Sequence, residues 1–153
     1  MQVNIRHATA ADEARVADLW RTCNLVTSYN DPSSDFHFAL SSPASTVLVA
    51  YFVSALQEDG ESSIAGSVMV GHDGHRGWVY YVASSPDARG LGIGKRLVGA
   101  AEKWLKERGV RKCQLLVRKT NEGVVSFYET LGFETAPVVM MGKWLDGTTT
   151  IPP

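Results

Sequence analysis

Three glycines within five residues, Gly90, Gly92 and Gly94, stand between an aromatic, β-branched run (Trp78 to Ala83) and the most regular amphipathic pattern in the chain. No other feature limits the fold as much. The run before the glycines reads as a strand. After them, Ile93, Leu97, Ala101, Trp104 and Leu105 recur on one face at helical spacing. Glycine lets backbone N–H groups turn toward one point without Cβ obstruction, and here those groups open a helix whose N-terminal partial charge favours an anion. Arg89, Lys95 and Arg96 add full positive charges. The segment Arg89-Gly90-Leu91-Gly92-Ile93-Gly94-Lys95 is therefore expected to cradle a phosphate or pyrophosphate. A glycine-rich helix entry with a solvated basic rim is the plainer alternative. Two familiar phosphate loops do not fit. The P-loop needs four residues between its first glycine and the Gly-Lys pair, but Gly90 and Gly94 enclose three, and Arg96 stands where Ser or Thr belongs. In the dinucleotide pattern G-x-G-x-x-G the third glycine would come one residue later.

The remaining periodicities complete an α/β reading. Val3-Asn4-Ile5 alternates as a short strand. Thr9 and Asp12 suggest a helix start, and Val16, Leu19, Trp20 and Cys23 share one face of that helix. Asn30-Asp31-Pro32 marks a turn before a short helix through Phe36, Ala39 and Leu40. Thr46 to Leu56 reads as a buried strand, Asp59-Gly60 as a hairpin turn, and Ile64 to Val70 as the returning strand. Residues 71–77 form the next turn. Gly109 fits the left-handed position that ends the long helix. Cys113 to Val117 is expected as a strand, Glu122 to Leu131 as a helix ended by Gly132, and Val138 to Lys143 as a last strand. Strand–helix–strand–helix–strand implies at least one parallel pair in an otherwise antiparallel sheet.

Composition narrows the function classes. The 153 residues carry 15 basic and 16 acidic side chains, a net charge of −1, which argues against a nucleic-acid binder. The charge is unevenly spread. Residues 1–75 hold three basic and nine acidic residues, a net −6; residues 76–153 hold twelve and seven, a net +5. The longest apolar stretch, Val47 to Leu56, is too short to span a bilayer, and the N-terminus has no apolar signal region, so no membrane role is expected and the cytoplasm is the expected location. Cys23 and Cys113 lack metal-ligand spacing and read as reduced thiols; no metal is expected.

Two motifs then point the same way. Arg89-x-x-Gly92-x-Gly94 after Val82-Ala83-Ser84-Ser85-Pro86 resembles the acetyl-CoA-binding motif of GNAT N-acetyltransferases. Asn121-Glu122-Gly123-Val124-Val125-Ser126-Phe127-Tyr128-Glu129-Thr130-Leu131-Gly132-Phe133 resembles that family's second motif. The turn at residues 71–77 followed by Tyr80-Tyr81 resembles the small bacterial YpeA-type branch. The resemblance implies one GNAT domain over residues 1–146 with a loose tail at 147–153. It implies the family's mixed, mostly antiparallel twisted sheet of about six or seven strands, with about four helices. Acetyl-CoA would be the co-substrate. Val82, Ala83 and Ser84 would meet its pantetheine arm through backbone groups, one N–H polarising the thioester carbonyl. Arg89, Gly90, Leu91, Gly92, Ile93, Gly94 and Lys95 would hold the pyrophosphate, Asn121 the pantetheine region, and Tyr128 would protonate the departing thiolate. A phenol suits that step because its ordinary pKa of ~10 exceeds a thiol's ~8.5.

The acceptor must lose a proton before it attacks. The carboxylates that some family members use are absent, since Trp78 and Leu116 stand at those positions. Strand alternation predicts that Trp78, Tyr80 and Val82 share a face, placing Tyr80 at the acceptor site. Asp31, Asp35, Asp73 and His75 are the candidates for taking the proton, with relay through water as the alternative; a histidine titrates in the right range. Asp31 and Asp73 are also candidates for binding the acceptor, and Trp20, Tyr29 and Phe36 for walling its pocket. The expected acceptor is a small-molecule or peptide amine, cationic because the acidic half borders it. The expected assembly is a monomer or homodimer. The rival expectation is an acyl-CoA-binding module of the same fold without transfer activity.

Overall fold

The computed structural model describes residues 2–53 and 63–149. The chain divides into two compact units, Met1–Leu116 and Val117–Pro153. The first contains β1 (Val3–His7), α1 (Glu13–Thr22), α2 (Pro32–Leu40), β2 (Ser45–Phe52), β3 (Ile64–His72), β4 (Gly77–Ser84), α3 (Ile93–Glu107) and β5 (Cys113–Gln114). Short 3-10 turns precede α1 and α3 at Ala10–Asp12 and Pro86–Ala88. The second unit contains α4 (Glu122–Thr130).

The strands lie in the order β1-β2-β3-β4-β5. Neighbours are antiparallel except for β4 and β5, which supply the expected parallel pair. Side-chain alternation along β2 divides the core. Leu48 and Ala50 pack with Val79, Ile93, Leu97, Ala101, Trp104 and Leu105 on the α3 side. Val47 and Val49 pack with Val16, Leu19, Trp20, Phe36 and Ala39 on the α1–α2 side. The sheet is thus covered on both faces. Two glycines let α3 approach it closely. A Cβ on Gly77 would lie 2.6 Å from Leu105 Cδ1, and one on Gly66 would lie 2.6 Å from both Ile93 Cγ2 and the Ala83 carbonyl oxygen.

Helix ends follow local chemistry. The Asp12 carboxylate accepts the Thr9 N–H at 2.8 Å and grips Arg6 with both oxygens, at 2.7 and 2.9 Å. The Arg6 hydrogen bond holds this buried carboxyl below the ordinary range. Gly109 (φ +78°) ends α3, with Val110 N–H reaching the Leu105 carbonyl at 3.1 Å. Gly132 (φ +93°) ends α4 in the same way, Phe133 N–H bonding the Tyr128 carbonyl at 3.1 Å.

Two strand expectations are corrected, so the described residues hold five strands rather than six or seven. Val138 to Lys143 forms no ladder. Val138 N–H bonds the Ala136 carbonyl at 2.9 Å, a tight turn around Pro137 that spends the donor a strand would need. The strand expected at Cys113 to Val117 ends at Gln114. Its partner β4 is bulged a few residues further on, and a bulge bends and twists its strand away from a straight neighbour. The Asp59-Gly60 hairpin turn and the end of the Thr46–Leu56 run lie outside the described residues.

Candidate active site

β4 carries the site's main irregularity. Met69 pairs with Tyr80 and Ser67 with Ala83, so one residue of β3 faces two of β4, Tyr81 and Val82. This is a β-bulge, and Tyr81 sits in it at φ +51°, left-handed backbone that a residue with a Cβ rarely adopts. The bulge corrects the alternation expected along the strand. Trp78 and Tyr80 do share a face, their rings 6.4 Å apart and 17° from parallel. Val82 does not join them; it packs on the α3 side with Val79, while Tyr81 packs on the α1–α2 side. The parallel ladder to β5 covers only Gly77 and Trp78. Among the described residues, Tyr81 and Val82 therefore have no ladder partner on either side, and the rest of β4 faces an open edge toward β5. A bare strand edge of this kind accepts an extended ligand as an added strand. Val82, Ala83 and Ser84 lie along it.

The glycine loop continues from that edge. Gly90 (φ +82°) and Gly92 (φ +69°) are both left-handed, and a Cβ on either would meet nothing within 4 Å. Arg96 N–H opens the α3 ladder on the Gly92 carbonyl at 3.1 Å, so the N–H groups of Ile93, Gly94 and Lys95 precede it without helical partners. Gly92 provides no side-chain cap, and the first turn contains no acidic residue. It contains Lys95 and Arg96 instead. Cations at a helix N-terminus oppose the dipole. An anion from outside resolves that conflict, because it satisfies the orphan donors and both side-chain charges together. Arg89 precedes the loop directly. The arrangement fits a pyrophosphate.

The proposed acceptor residues meet different fates. Asp73 accepts the N–H groups of His75 (2.9 Å) and Arg76 (2.7 Å) on Oδ1 and the Trp78 indole N–H (3.2 Å) on Oδ2. These donors, the Arg76 N–H foremost, lower its carboxyl to about 2. It is a fixed negative charge beside the Trp78–Tyr80 pair. Tyr80 is 45% exposed, and partial burial, then Asp73, raise its phenol above the ordinary value. Asp31 caps α2, accepting Ser33 N–H at 3.0 Å and Ser34 N–H at 3.4 Å. His75 stands exposed on the turn between β3 and β4. Asp35 is drawn to the bulge, where its Oδ2 accepts the Tyr81 hydroxyl at 2.7 Å. Trp20 and Phe36 are fully buried, so they support the face rather than line an open pocket. Tyr81 is the functional candidate that sequence reasoning passed over. No pattern in the residues announces a positive φ at a tyrosine.

Neither cysteine is set up as a nucleophile. Burial first, then Glu102, raises the Cys113 thiol to about 11; burial raises Cys23, whose thiol donates to the Ser84 carbonyl at 3.3 Å. In the second unit Asn121 takes the N-cap position of α4 without a side-chain cap bond. Tyr128 lies on that helix between Phe127 and Phe133, ring centroids 5.0 and 5.6 Å away.

Comparison with known proteins agrees with this geometry. The chain is 40% identical over 143 residues to an acetyltransferase of Pectobacterium atrosepticum, covering 94% of this chain and 96% of that one. Among solved structures, AAC(6')-Iy in complex with the bisubstrate analogue CoA-S-monomethyl-acetylneamine superposes with a TM-score of 0.74 at 17% identity, covering 94% of this chain and 99% of that one. An aminoglycoside acetyltransferase from an uncultured soil metagenomic sample, in complex with sisomicin, gives 0.72 at 18% identity, covering 94% and 97%. At such identities these two show a shared fold. Residues 14–133 match the Acetyltransferase (GNAT) family, and with the bulged strand and the bare helix N-terminus behind it, the chain belongs to that family of acetyltransferases.

Proposed function

We propose that the chain uses acetyl-CoA to acetylate a primary amine, cationic and carried by a small molecule or peptide. The observation that carries this reading is the N-terminus of α3, with its two left-handed glycines, no capping side chain, no acid and two cations, at the end of an unpaired strand edge. Arg89, Gly90, Leu91, Gly92, Ile93, Gly94 and Lys95 hold the pyrophosphate in this reading, and Val82, Ala83, Ser84 and Asn121 hold the pantetheine arm. Acetyl-CoA supplies the acyl group. The amine nitrogen forms the new C–N bond, the C–S bond breaks, Tyr128 gives its proton to the departing thiolate, and the second proton shed by the new amide nitrogen returns to Tyr128 through solvent. Asp31 and Asp73 already serve as caps, so His75, or solvent at the exposed Tyr80 face, takes the ammonium proton. Tyr80 and Asp73 receive the cationic acceptor, with Asp31 at the edge of its site. Raised thiol pKa values support direct attack without an acyl-cysteine. Residues 1–146 act as one domain, since the family match runs across both units.

Isothermal titration with acetyl-CoA tests the reading, with micromolar binding expected and no binding by folded protein opposing it. Thiol release over an amine panel, cut at least tenfold by Tyr128→Phe, is the expected activity. A second reading, a silent acyl-CoA-binding module, draws on the capped carboxylates. Binding without thiol release from any amine would favour it. The free thiols, with no helix among the described residues long and apolar enough to cross a membrane, support a cytoplasmic location.

A further inference from the structure

Tyr81 holds an unfavourable backbone conformation, and three other elements converge to keep it there. The Trp20 ring of α1 lies flat on the Tyr81 ring, centroids 3.9 Å apart and 9° from parallel. Trp20 is fully buried and its indole N–H donates to Ser67 Oγ on β3 at 2.8 Å. Ser67 is the residue that pairs with Ala83 where the ladder resumes after the bulge. From α2, Asp35 Oδ2 accepts the Tyr81 hydroxyl at 2.7 Å. Cys23, the C-cap of α1, reaches the Ser84 carbonyl at 3.3 Å. On the opposite side of the bulge Gly66 leaves room for the Ala83 carbonyl, which would stand 2.6 Å from a Cβ there. Strain retained at this point, with so many groups over-determining it, indicates that the bulge has a use.

We infer that Trp20, Asp35 and Tyr81 are positioning residues that fix the β4 bulge so that a backbone N–H of the unladdered pair Tyr81–Val82 aims at the acyl carbonyl oxygen. The inference rests on the acetyltransferase reading and adds to it which side chains set the aim of that donor. Tyr81 acts as a donor because burial, then the bond to Asp35, holds its phenol well above the ordinary value. Asp35 acts as acceptor for that phenol and need not exchange protons with the amine.

The test compares Tyr81→Phe, Asp35→Asn and Asp35→Ala in the full chain. Each variant is assayed for melting temperature, CoA binding, and kcat and KM for a reactive amine. Tyr81→Phe keeps the ring stack and loses the bond. It is expected to bind CoA as the wild type does, to keep its amine KM, and to lose roughly tenfold in kcat, short of the ~10²–10³ that follows complete removal of such a donor. Asp35→Asn still offers Tyr81 an oxygen and should retain most of kcat; Asp35→Ala should match Tyr81→Phe. A wild-type kcat in Tyr81→Phe overturns the inference. So does an Asp35→Asn variant as slow as Asp35→Ala with a changed pH–rate profile, which would make Asp35 the proton acceptor. If Tyr81→Phe does not fold, the contrast between the two Asp35 variants decides alone. Failure of the wild type to bind CoA would strike the acetyltransferase reading itself, whereas intact CoA binding with indifferent variants would strike only the clamp.

Discussion

Asp73 and His75 are two residues apart and suited to different work. Three donors keep the Asp73 carboxyl near 2, against an ordinary value near 3.8. A group lowered in the folded state contributes to stability above its unfolded pKa and loses that contribution as the pH falls toward its folded one, so the contribution of Asp73 is fully present at neutral pH and is lost only in acid, between about 3.8 and about 2. The same shift makes it a poor proton acceptor at neutral pH and a constant charge between pH 5 and 8. Asp73→Asn retains an oxygen for the N–H groups of His75 and Arg76 but removes the charge. It should raise KM for a cationic amine several-fold with little change in melting temperature, and the increase should be the same at pH 6 and pH 8. Any rate dependence in that interval belongs to another group. If it is His75, the inflection disappears in His75→Ala, which steady-state pH profiles of both variants will show.

At the scale of elements, glycines divide by what surrounds them. Gly66 is enclosed, so Gly66→Ala forces a Cβ against the Ala83 carbonyl and the Ile93 and Leu97 side chains of α3. A cost of about 1–3 kcal/mol is expected for overpacking at such a site, read as a lower urea midpoint. Gly90 and Gly92 face open space, so an alanine there meets only left-handed strain, roughly 1–2 kcal/mol, together with a Cβ where the proposed pyrophosphate site lies. Gly92→Ala should therefore weaken CoA binding more than it lowers stability. The same contrast explains what sequence alone made legible. The face of α3, its glycine ending and the glycine loop are local patterns, and all appear as expected. The bulge at Tyr81 is not local; it is imposed by Trp20, Ser67 and Asp35, which are brought together from three other elements. Val138 to Met141 fails for a related reason. Its composition favours a strand, but strand propensity measures fit to a neighbouring surface, and these residues stay exposed without a ladder.

Across the whole molecule, the charge imbalance is broadly aligned with the two faces of the sheet. α3 carries Lys95, Arg96, Lys103 and Lys106 against Glu102 and Glu107; α1 and α2 with its cap carry Glu13, Asp18, Asp31 and Asp35 against Arg15 and Arg21. Three further acids, Glu58, Asp59 and Glu61, lie outside the described residues. A polyanion is thus drawn toward the α3 N-terminus and a cation toward the acidic side, where Asp73 adds its fixed charge beside Tyr80. Such attraction acts over roughly a Debye length, about 10 Å at 0.1 M salt, and so depends on ionic strength. Raising sodium chloride from about 0.02 to about 0.5 M should lower kcat/KM for a diamine several-fold, and less for a monoamine of similar length, since the second ammonium adds its own interaction with the field. CoA affinity should fall over the same range. A diamine rate indifferent to salt, alongside salt-sensitive CoA binding, would leave the anion cradle standing and remove the argument that acidic residues recruit the acceptor. The proposed acceptor site at Tyr80 would then have to select its amine by shape.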